Sequence, residues 1–342
     1  MKNKNVISIA KKKDARDIMK FIRSEWDKKH ILALNRKFFL YEYGNNSLVN
    51  FVISKINNKI NGIQGFLKSS SSKKATLWAT MWCTSKKNVP PMLGISMLNY
   101  MRSLKYKSVM SNGINESSKK IYKLLGFKVG ILNHHFIPNN DFNNCKIAKI
   151  PKYILKKKNK IKMNNKLTFK KINLKDIYQK FNFNKYNSRV PFKDYNYFKK
   201  RFFKHPVYVY DTYGVFNEEK LLSILVTRVN KFKKSTCLRI VDFYGEENTL
   251  NTFTYYLVSI MKSYKHEYID ILSLGLSEKI LSKAGFIKIN KKRKNIIIPN
   301  YFEPFIRRNV DIKYFTDLKN LKNLRIFKSD GDQDRPNFFK FT

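Results

Sequence analysis

The sequence has 342 residues, 43% of them apolar and 15% aromatic, so it can form two ordinary domains and is not expected to be disordered. Its formal net charge of +46 favours anionic partners, but the lysines are spread along the entire sequence and no nucleic-acid-binding motif is present. These features argue against nucleic-acid binding as the main function. No apolar run approaches the length of about 18 residues that a membrane-spanning helix needs.

The cysteine content predicts neither a disulfide framework nor a zinc site. Cys83, Cys145 and Cys237 are widely spaced and form no Cys-x-x-Cys pair, so no metal is expected. The basic start contains only a short apolar run, too short for the core of a signal peptide. We therefore expect a cytoplasmic protein.

The first half of the sequence alternates β-like and helical patterns. Period-2 runs with β-branched and aromatic residues predict strands, and apolar residues three or four apart predict helices. The predicted order is strand, helix, helix, three strands, helix, strand, helix, strand, over residues 6–10, 14–26, 32–43, 49–56, 60–68, 75–85, 92–104, 107–114, 115–126 and 127–137.

The most informative motif lies on the last helix of this half. Asn115, Ser118, Tyr122 and Gly126 are spaced three, four and four residues apart, which places them along one helical face. A glycine at this position is expected to end the helix, and Phe127 opens the next strand. A strand, a helix with a tyrosine on its polar face and a second strand form a unit that can present a phenol to a ligand.

This motif resembles the N-x-x-A-x-x-x-Y-x-x-x-G-F pattern of the Gcn5-related N-acetyltransferase (GNAT) fold, with Ser118 as the small residue. The resemblance covers residues 1–138. It implies that Tyr122 stands near the sulfur of acyl-coenzyme A and protonates the departing thiolate. A phenol pKa near 10 is within about two units of a thiol pKa of about 8.5, so this transfer is reasonable. The alternative is a buried core tyrosine on an amphipathic helix.

The resemblance also implies where coenzyme A (CoA) binds. GNAT enzymes hold its pyrophosphate on backbone N–H groups at a helix N-terminus, usually with the motif Q/R-x-x-G-x-G/A. The matching segment contains the central Gly94 and a small Ser96, with Leu93 and Ile95 beside them, but has Pro91 where Gln or Arg is usual. The alternative for this glycine is a simple turn. Asn115 and Ser118 are expected to contact the cofactor as well.

The strand before this loop is expected to contact the cofactor through its backbone. In the GNAT fold this strand diverges from its neighbour and pairs with the pantetheine arm, and one of its N–H groups polarises the thioester carbonyl. Met81, Trp82 and Cys83 occupy the corresponding positions. For Trp78 and Trp82, packing in the core is the alternative interpretation.

The second half repeats the first weakly, and Gly126-Phe127 recurs as Gly285-Phe286. Leu281 replaces the tyrosine and no glycine occurs in 246–250, so this half is predicted to be degenerate. Its expected strands and helices cover 207–216, 221–230, 237–245, 249–264, 268–274 and 277–284. The predicted domains are a GNAT-like catalytic unit (1–138), a basic linker (139–166), a degenerate GNAT-like unit (167–300) and a C-terminal extension with an Asp-rich tail (301–342).

Two residues are expected to contact the acceptor. His30 and Glu42 flank the segment that covers the acceptor in the GNAT fold. No general base is assigned. The Asp-rich tail and the sequence of residues 26–43 resemble those of tandem GNAT-like proteins associated with bacterial surface-polysaccharide synthesis.

We therefore predict an α/β fold with two GNAT-like acyl-CoA N-acyltransferase units in tandem. The expected function is transfer from acyl-CoA, with acetyl-CoA as cosubstrate, to a small amine acceptor such as an amino sugar on a nucleotide or lipid carrier. The charge adds an expected contact with an anionic membrane surface. Two alternatives stay open: a Fem-type transferase that uses aminoacyl-tRNA, and a catalytically inactive tandem GNAT-like binding protein.

Overall fold

The computed structural model describes residues 5–87, 89–156, 161, 165–290 and 295–338. The chain forms two compact units, and both combine helices with a mixed β-sheet, as the α/β prediction requires. The first unit contains Met1–Val129, Tyr314–Lys319 and Gly331–Thr342, and the second contains Gly130–Lys313 and Asn320–Asp330. Within the described residues, no helix is both long and apolar enough to cross a membrane.

The first unit follows the predicted order of strands and helices. Its elements up to residue 131 are β1 (Val6–Lys11), α1 (Ala15–Phe21), α2 (Ile31–Leu34), α3 (Arg36–Tyr43), β2 (Gly44–Asn45), β3 (Leu48–Ile56), β4 (Lys59–Lys68), β5 (Thr76–Thr84), α4 (Leu93–Ser103), β6 (Ser108–Asn112), α5 (Glu116–Leu124) and β7 (Lys128–Ile131). A single turn of π-helix, Ile22–Trp26, extends α1.

The first sheet has helices on both faces. Its strand order is β1-β3-β4-β5-β6-β17-β7, where β17 is Lys313–Thr316, and β2 is paired to β3. Alternate residues of β3 point to opposite faces: Phe51 joins the core under α1, α2 and α3, and Val52 joins the core under α4 and α5. The β5–β6 pair is parallel and the pairs on either side of it are antiparallel.

The predicted strand over 127–137 is wrong as a single element. It breaks at Leu132, whose N–H donates to the carbonyl of Ile312, and β8 (Asn133–Pro138) pairs with β13 (Tyr268–Leu274) of the second sheet. In exchange, β17 (Lys313–Thr316) enters the first sheet beside β6. Each sheet therefore contains one strand from the other half of the sequence.

The second unit repeats the arrangement of the first. Its elements are β8, α6 (Lys152–Leu155), β9 (Thr168–Lys171), α7 (Leu174–Lys180), α8 (Tyr195–Phe198), β10 (Asp211–Asn217), β11 (Lys220–Phe232), β12 (Ser235–Gly245), α9 (Leu250–Ser263), β13 (Tyr268–Leu274), α10 (Glu278–Lys283), β14 (Ile287–Lys288), β15 (Tyr301–Phe302), β16 (Phe305–Ile306) and β18 (Ile326–Phe327). The strand order is β14-β8-β13-β12-β11-β10-β9, with β18 paired to β13, and β15 and β16 form a separate hairpin.

The region predicted as a linker, 139–166, is packed where the structure describes it. Ile147 and Ile154 are buried in a core of the second unit. The buried carboxylate of Glu267 accepts hydrogen bonds from three consecutive backbone N–H groups, those of residues 146–148. These apolar contacts and charge-assisted hydrogen bonds hold the segment in place. Its high content of Lys and Asn gave no sign of this packing in the sequence. Its run 157–160 lies outside the described residues.

Two groups of buried charges stabilise the second unit. Arg239 binds Asp270 through two nitrogens, and Nε2 of His134 donates to the same carboxylate at 2.8 Å. Lys193 lies between Asp242, at 2.8 Å, and Asp330, at 3.0 Å. Burial and the neighbouring carboxylate raise the pKa of Asp330 to about 6.

Candidate active site

The predicted divergence of two parallel strands is present in the first sheet. β5 and β6 pair over only three positions, Thr76–Trp78 with Ser108–Met110, whereas β5 continues to Thr84. Within the described residues, no backbone hydrogen bond fills the gap on the β6 side beyond Trp78. An extended ligand with amide groups can supply the missing partners by adding to the strand edge.

A bulge lies opposite this gap. The register of β5 against β4 shifts between Ile63 and Gly65, and Met81 has a left-handed backbone with φ of 45°. A bulge redirects the N–H groups around it, and Met81, Trp82 and Cys83 are the residues predicted to contact the thioester. Burial raises the pKa of the Cys83 thiol to about 11, so this cysteine is not an activated nucleophile.

The N-terminus of α4 is partly covered by an aromatic side chain. Gly94 lies against the indole of Trp82, and a Cβ at this position would lie 2.7 Å from Cζ2 of that ring. The glycine therefore has a packing role in addition to any contact with phosphate. Ser96 is exposed, and its hydroxyl donates to the carbonyl of Met92, which has a φ of 60°. Leu93 is buried in the core, so only its backbone can face a ligand.

Tyr122 of α5 packs on the same face of the sheet as α4, where aromatic rings enclose it. Its side chain is 2% exposed and stacks on Phe315 of β17 with centroids 3.7 Å apart. Trp82 and Phe127 lie at 5.5 and 6.0 Å. Burial raises the pKa of Tyr122, so the expectation of an ordinary phenol pKa was wrong. The hydroxyl stays protonated at neutral pH and is a weaker acid than predicted.

The side chain of Asn115 is occupied by a helix cap. It accepts a hydrogen bond of 2.7 Å from the backbone N–H of Ser118 at the start of α5. Gly126, with φ of 78°, follows the helix end as predicted. The pattern Asn-x-x-Ser is thus explained by helix initiation, and the predicted contact of these two residues with a cofactor stays a prediction.

The other face of the sheet holds the two residues predicted for the acceptor. His30 caps α2, and its Nδ1 accepts from the N–H of Leu32 at 3.2 Å. Burial and the nearby charge of Arg335 lower the pKa of His30 to about 3. A neutral imidazole whose Nδ1 accepts carries its proton on Nε2, so in this geometry His30 is a donor towards a ligand and not a base.

Glu42 belongs to a buried polar group. The sequence predicted Glu42 as a site residue but did not indicate its partner Arg335. The guanidinium of Arg335 donates to Tyr43 Oη at 2.8 Å and lies 3.3 Å from Met81 Sδ. Asp332 pairs with it at 3.1 Å, and Glu42 adds a second negative charge nearby. The segment Gly331–Phe338, called here the C-terminal strap, thus brings a cation to the bulge. Only the tail's unusual composition could have indicated this.

The position of the strap on this face is fixed by contacts along its length. The N–H of Ile31 donates to the carbonyl of Asn337 at 2.9 Å, and His30 forms a β-bridge with Phe338. Gln333 lies against Gly113, where any side chain would collide with it.

Comparisons with known proteins give fold-level likeness. No protein-family model matches the sequence, and no curated protein matches it significantly. A GCN5-related N-acetyltransferase from Anabaena variabilis superposes with a TM-score of 0.59 at 9% identity, covering 93% of this chain and 74% of that one. A probable N-acyltransferase from Enterococcus faecalis gives 0.56 at 8% identity, covering 94% and 73%. A GCN5-related N-acetyltransferase from Kribbella flavida gives 0.53 at 8% identity, covering 92% and 70%.

These likenesses extend over most of the chain, so the predicted GNAT-like fold is confirmed. At such low identity they establish the fold alone, and any activity has to be argued from the residues of this chain.

Proposed function

We propose that this protein is an acyl-CoA-dependent N-acyltransferase whose active centre lies in the first unit. The observation that carries the proposal is the parallel β5–β6 pair that ends after three positions beside the N-terminus of α4. A gap between strands offers backbone partners to the amides of pantetheine, and a helix N-terminus favours the pyrophosphate.

In the proposed mechanism the amine attacks the thioester carbonyl directly. A backbone N–H around the Met81 bulge stabilises the oxyanion. The tetrahedral intermediate then expels the thiolate, and Tyr122 supplies its proton. The nitrogen loses one proton to solvent as the amide forms, and the phenol of Tyr122 recovers its own proton from solvent. Acetyl-CoA is the proposed donor, and the proposed acceptor is the amine of an amino sugar that serves as a surface-polysaccharide precursor.

The gap that corresponds to the proposed donor site is filled in the second unit. There the corresponding parallel pair, β12–β13, also covers only three positions. Its gap is occupied by the chain itself, because β18 pairs with β13 and the N–H of Ser329 donates to the carbonyl of Val241. Leu281, at the position of Tyr122, is buried in the core. We therefore assign no donor site to this unit.

Calorimetric titration of the full chain with acetyl-CoA tests the proposal. We expect one site with a Kd between about 1 μM and 1 mM. Ser96→Asp should weaken binding at least tenfold, because it places a negative charge where the pyrophosphate would lie while stabilising α4 through the helix dipole. Ser117→Asp is the matched control, since it makes the same change in the exposed first turn of α5. Equal effects of the two changes, or no binding at all, would contradict the proposal.

The indole over Gly94 favours a second candidate, a transferase that takes its acyl group from aminoacyl-tRNA. Such a donor does not need the pyrophosphate loop, and a net charge of +46 suits a polyanion. Absence of heat with acetyl-CoA together with salt-sensitive tRNA binding would support this candidate. Absence of both would leave a binding protein without transferase activity.

A further inference from the structure

Among the buried hydrogen-bond donors of the first unit that lack acceptors, one belongs to Trp78 of β5 and one to Arg335 of the C-terminal strap. Nε1 of Trp78 is enclosed in a side chain that is 1% exposed, and it has no partner among the described residues. The same holds for Nε of Arg335, whose side chain is 4% exposed. A buried N–H without a partner is costly, and folded proteins retain few of them. Each such group in a folded protein calls for an explanation, and an acceptor atom of a bound ligand is one.

The strap places Arg335 over the same face of β5 to which Trp78 points. Trp78 and Thr80 are two residues apart in a stretch where the register is regular, so their side chains share a face and are about 7 Å apart. Thr80 Oγ1 lies 2.9 Å from Tyr43 Oη, the group to which Arg335 donates. The strap begins beside the indole, since a Cβ at Gly331 would lie 3.6 Å from Cε3 of Trp78.

The charges around these two donors determine which acceptor atoms can bind to them. The guanidinium is already paired with Asp332 at 3.1 Å, and Glu42 contributes a second negative charge. A further carboxylate or phosphate would be repelled by both. A neutral oxygen, from a hydroxyl or a carbonyl group, can accept from the indole and from Nε without this repulsion.

We infer that this face of β5 binds the acceptor, and that Trp78 and Arg335 donate hydrogen bonds to uncharged oxygen atoms of a polyhydroxylated amine. The inference rests on the proposed function for its acceptor and narrows the substrate class to an amino sugar that carries no anionic group. It disfavours amino acids and sugar phosphates at this position. Glu42 and Asp332 lie where their charges attract an incoming ammonium group.

The test compares two amines that differ in their hydroxyl groups. Glucosamine and cyclohexylamine both carry an ammonium group on a six-membered ring, and only the sugar offers oxygen acceptors. Dissociation constants are measured by NMR titration of the full chain without acyl-CoA. We expect the unmodified protein to bind glucosamine at least fivefold more tightly than cyclohexylamine.

Two substitutions should remove this preference. Trp78→Phe deletes the indole N–H, and Arg335→Lys keeps the positive charge but deletes Nε–H. Each should bring the ratio of the two dissociation constants to within twofold of one, and the second keeps the test valid if the first prevents folding. Trp26→Phe is the matched control, because Trp26 is 51% exposed and should leave the ratio unchanged.

The inference is overturned if the unmodified protein does not discriminate between the amines, or if both variants retain the fivefold preference. Glucosamine 6-phosphate is the third probe, and binding tighter than that of glucosamine would also overturn it. The donor is tested separately by acetyl-CoA titration. Sugar preference without acetyl-CoA binding would therefore reject the proposed donor and keep the acceptor site, and the reverse would reject only the acceptor site.

Discussion

The environment of Tyr122 limits how it can act. Aromatic rings surround it, its hydroxyl makes no hydrogen bond to the described residues, and burial raises its pKa. A phenol in such a site remains protonated across the physiological range. It can give a proton to a thiolate, but the transfer is uphill and its contribution should lie at the low end for general acids.

Tyr122→Phe should lower kcat by about tenfold to a hundredfold. The change removes only the proton donor, so the Kd for acetyl-CoA should stay within twofold. Steady-state kinetics and calorimetry check the two values. Tyr100→Phe, on the neighbouring α4, is the control for loss of a hydroxyl at a half-buried position. An unchanged kcat would remove Tyr122 from the mechanism.

His30 makes the stability of the first unit depend on pH. Its folded pKa of about 3 lies below the ordinary 6.5, so the unfolded chain binds the proton more tightly. The stabilisation is fully present above pH 6.5 and is lost as the pH falls towards 3. The loss is about 1.4 kcal/mol for each pH unit below 6.5.

His30→Asn tests this dependence, because asparagine retains a good helix cap and does not titrate. Between pH 7.5 and 5.5 the unfolding free energy of the unmodified protein should fall by about 1.4 kcal/mol more than that of the variant. Urea unfolding at both pH values gives the comparison. Asp330, whose raised pKa acts in the opposite direction, is present in both proteins and cancels. Parallel pH profiles would show that His30 does not contribute.

At the scale of elements, local chemistry explains both the successes and the errors. The strands predicted over 49–56 and 60–68 are joined by a tight turn, because Asn57 and Asn58 between them adopt positive φ values. The sequence over 127–137 has strand propensity throughout. It contains no signal for the change of sheet at Leu132, because sheet membership depends on pairing with residues more than a hundred positions away.

The cap of α5 gives a prediction at this scale. Asn115→Ala should cost about 1 kcal/mol of stability by leaving the N–H of Ser118 without its acceptor. The Kd for acetyl-CoA should change less than twofold, since the side chain already serves the helix. Asn173→Ala removes a similar cap from α7 and is the matched control. A loss of affinity specific to Asn115→Ala would instead support its predicted contact with the cofactor.

For the whole molecule, the order of elements was readable from the sequence and the exchange of strands was not. Two repeats with the same order of strands and helices can be recognised from periodicity alone. Phe315 and Arg335 are remote from the site in sequence, and nothing in their local pattern indicates that they lie beside Tyr122 and Met81. The parts of the candidate site that local motifs supply could therefore be predicted from the sequence, and those supplied by β17 and the strap could not.

The exchange predicts that the first unit cannot fold from its N-terminal segment alone. A fragment of residues 1–129 lacks β17, so β6 keeps an unpaired edge and Tyr122 loses its stacking partner. Far-UV circular dichroism and size-exclusion chromatography should show a poorly folded or associating species. A synthetic peptide of 311–338 added in trans should restore helicity and a monomeric profile. A stable monomeric fragment would contradict this prediction.

The late position of β17 has a consequence for biosynthesis. The ribosome makes β6 long before β17, which begins at residue 313, and at about 5–20 residues per second the nascent sheet waits many seconds for its last partner. During that interval the unpaired edge of β6 is accessible to chaperones and proteases. We expect prematurely terminated products to keep this edge unpaired, because they end before the strand that covers it.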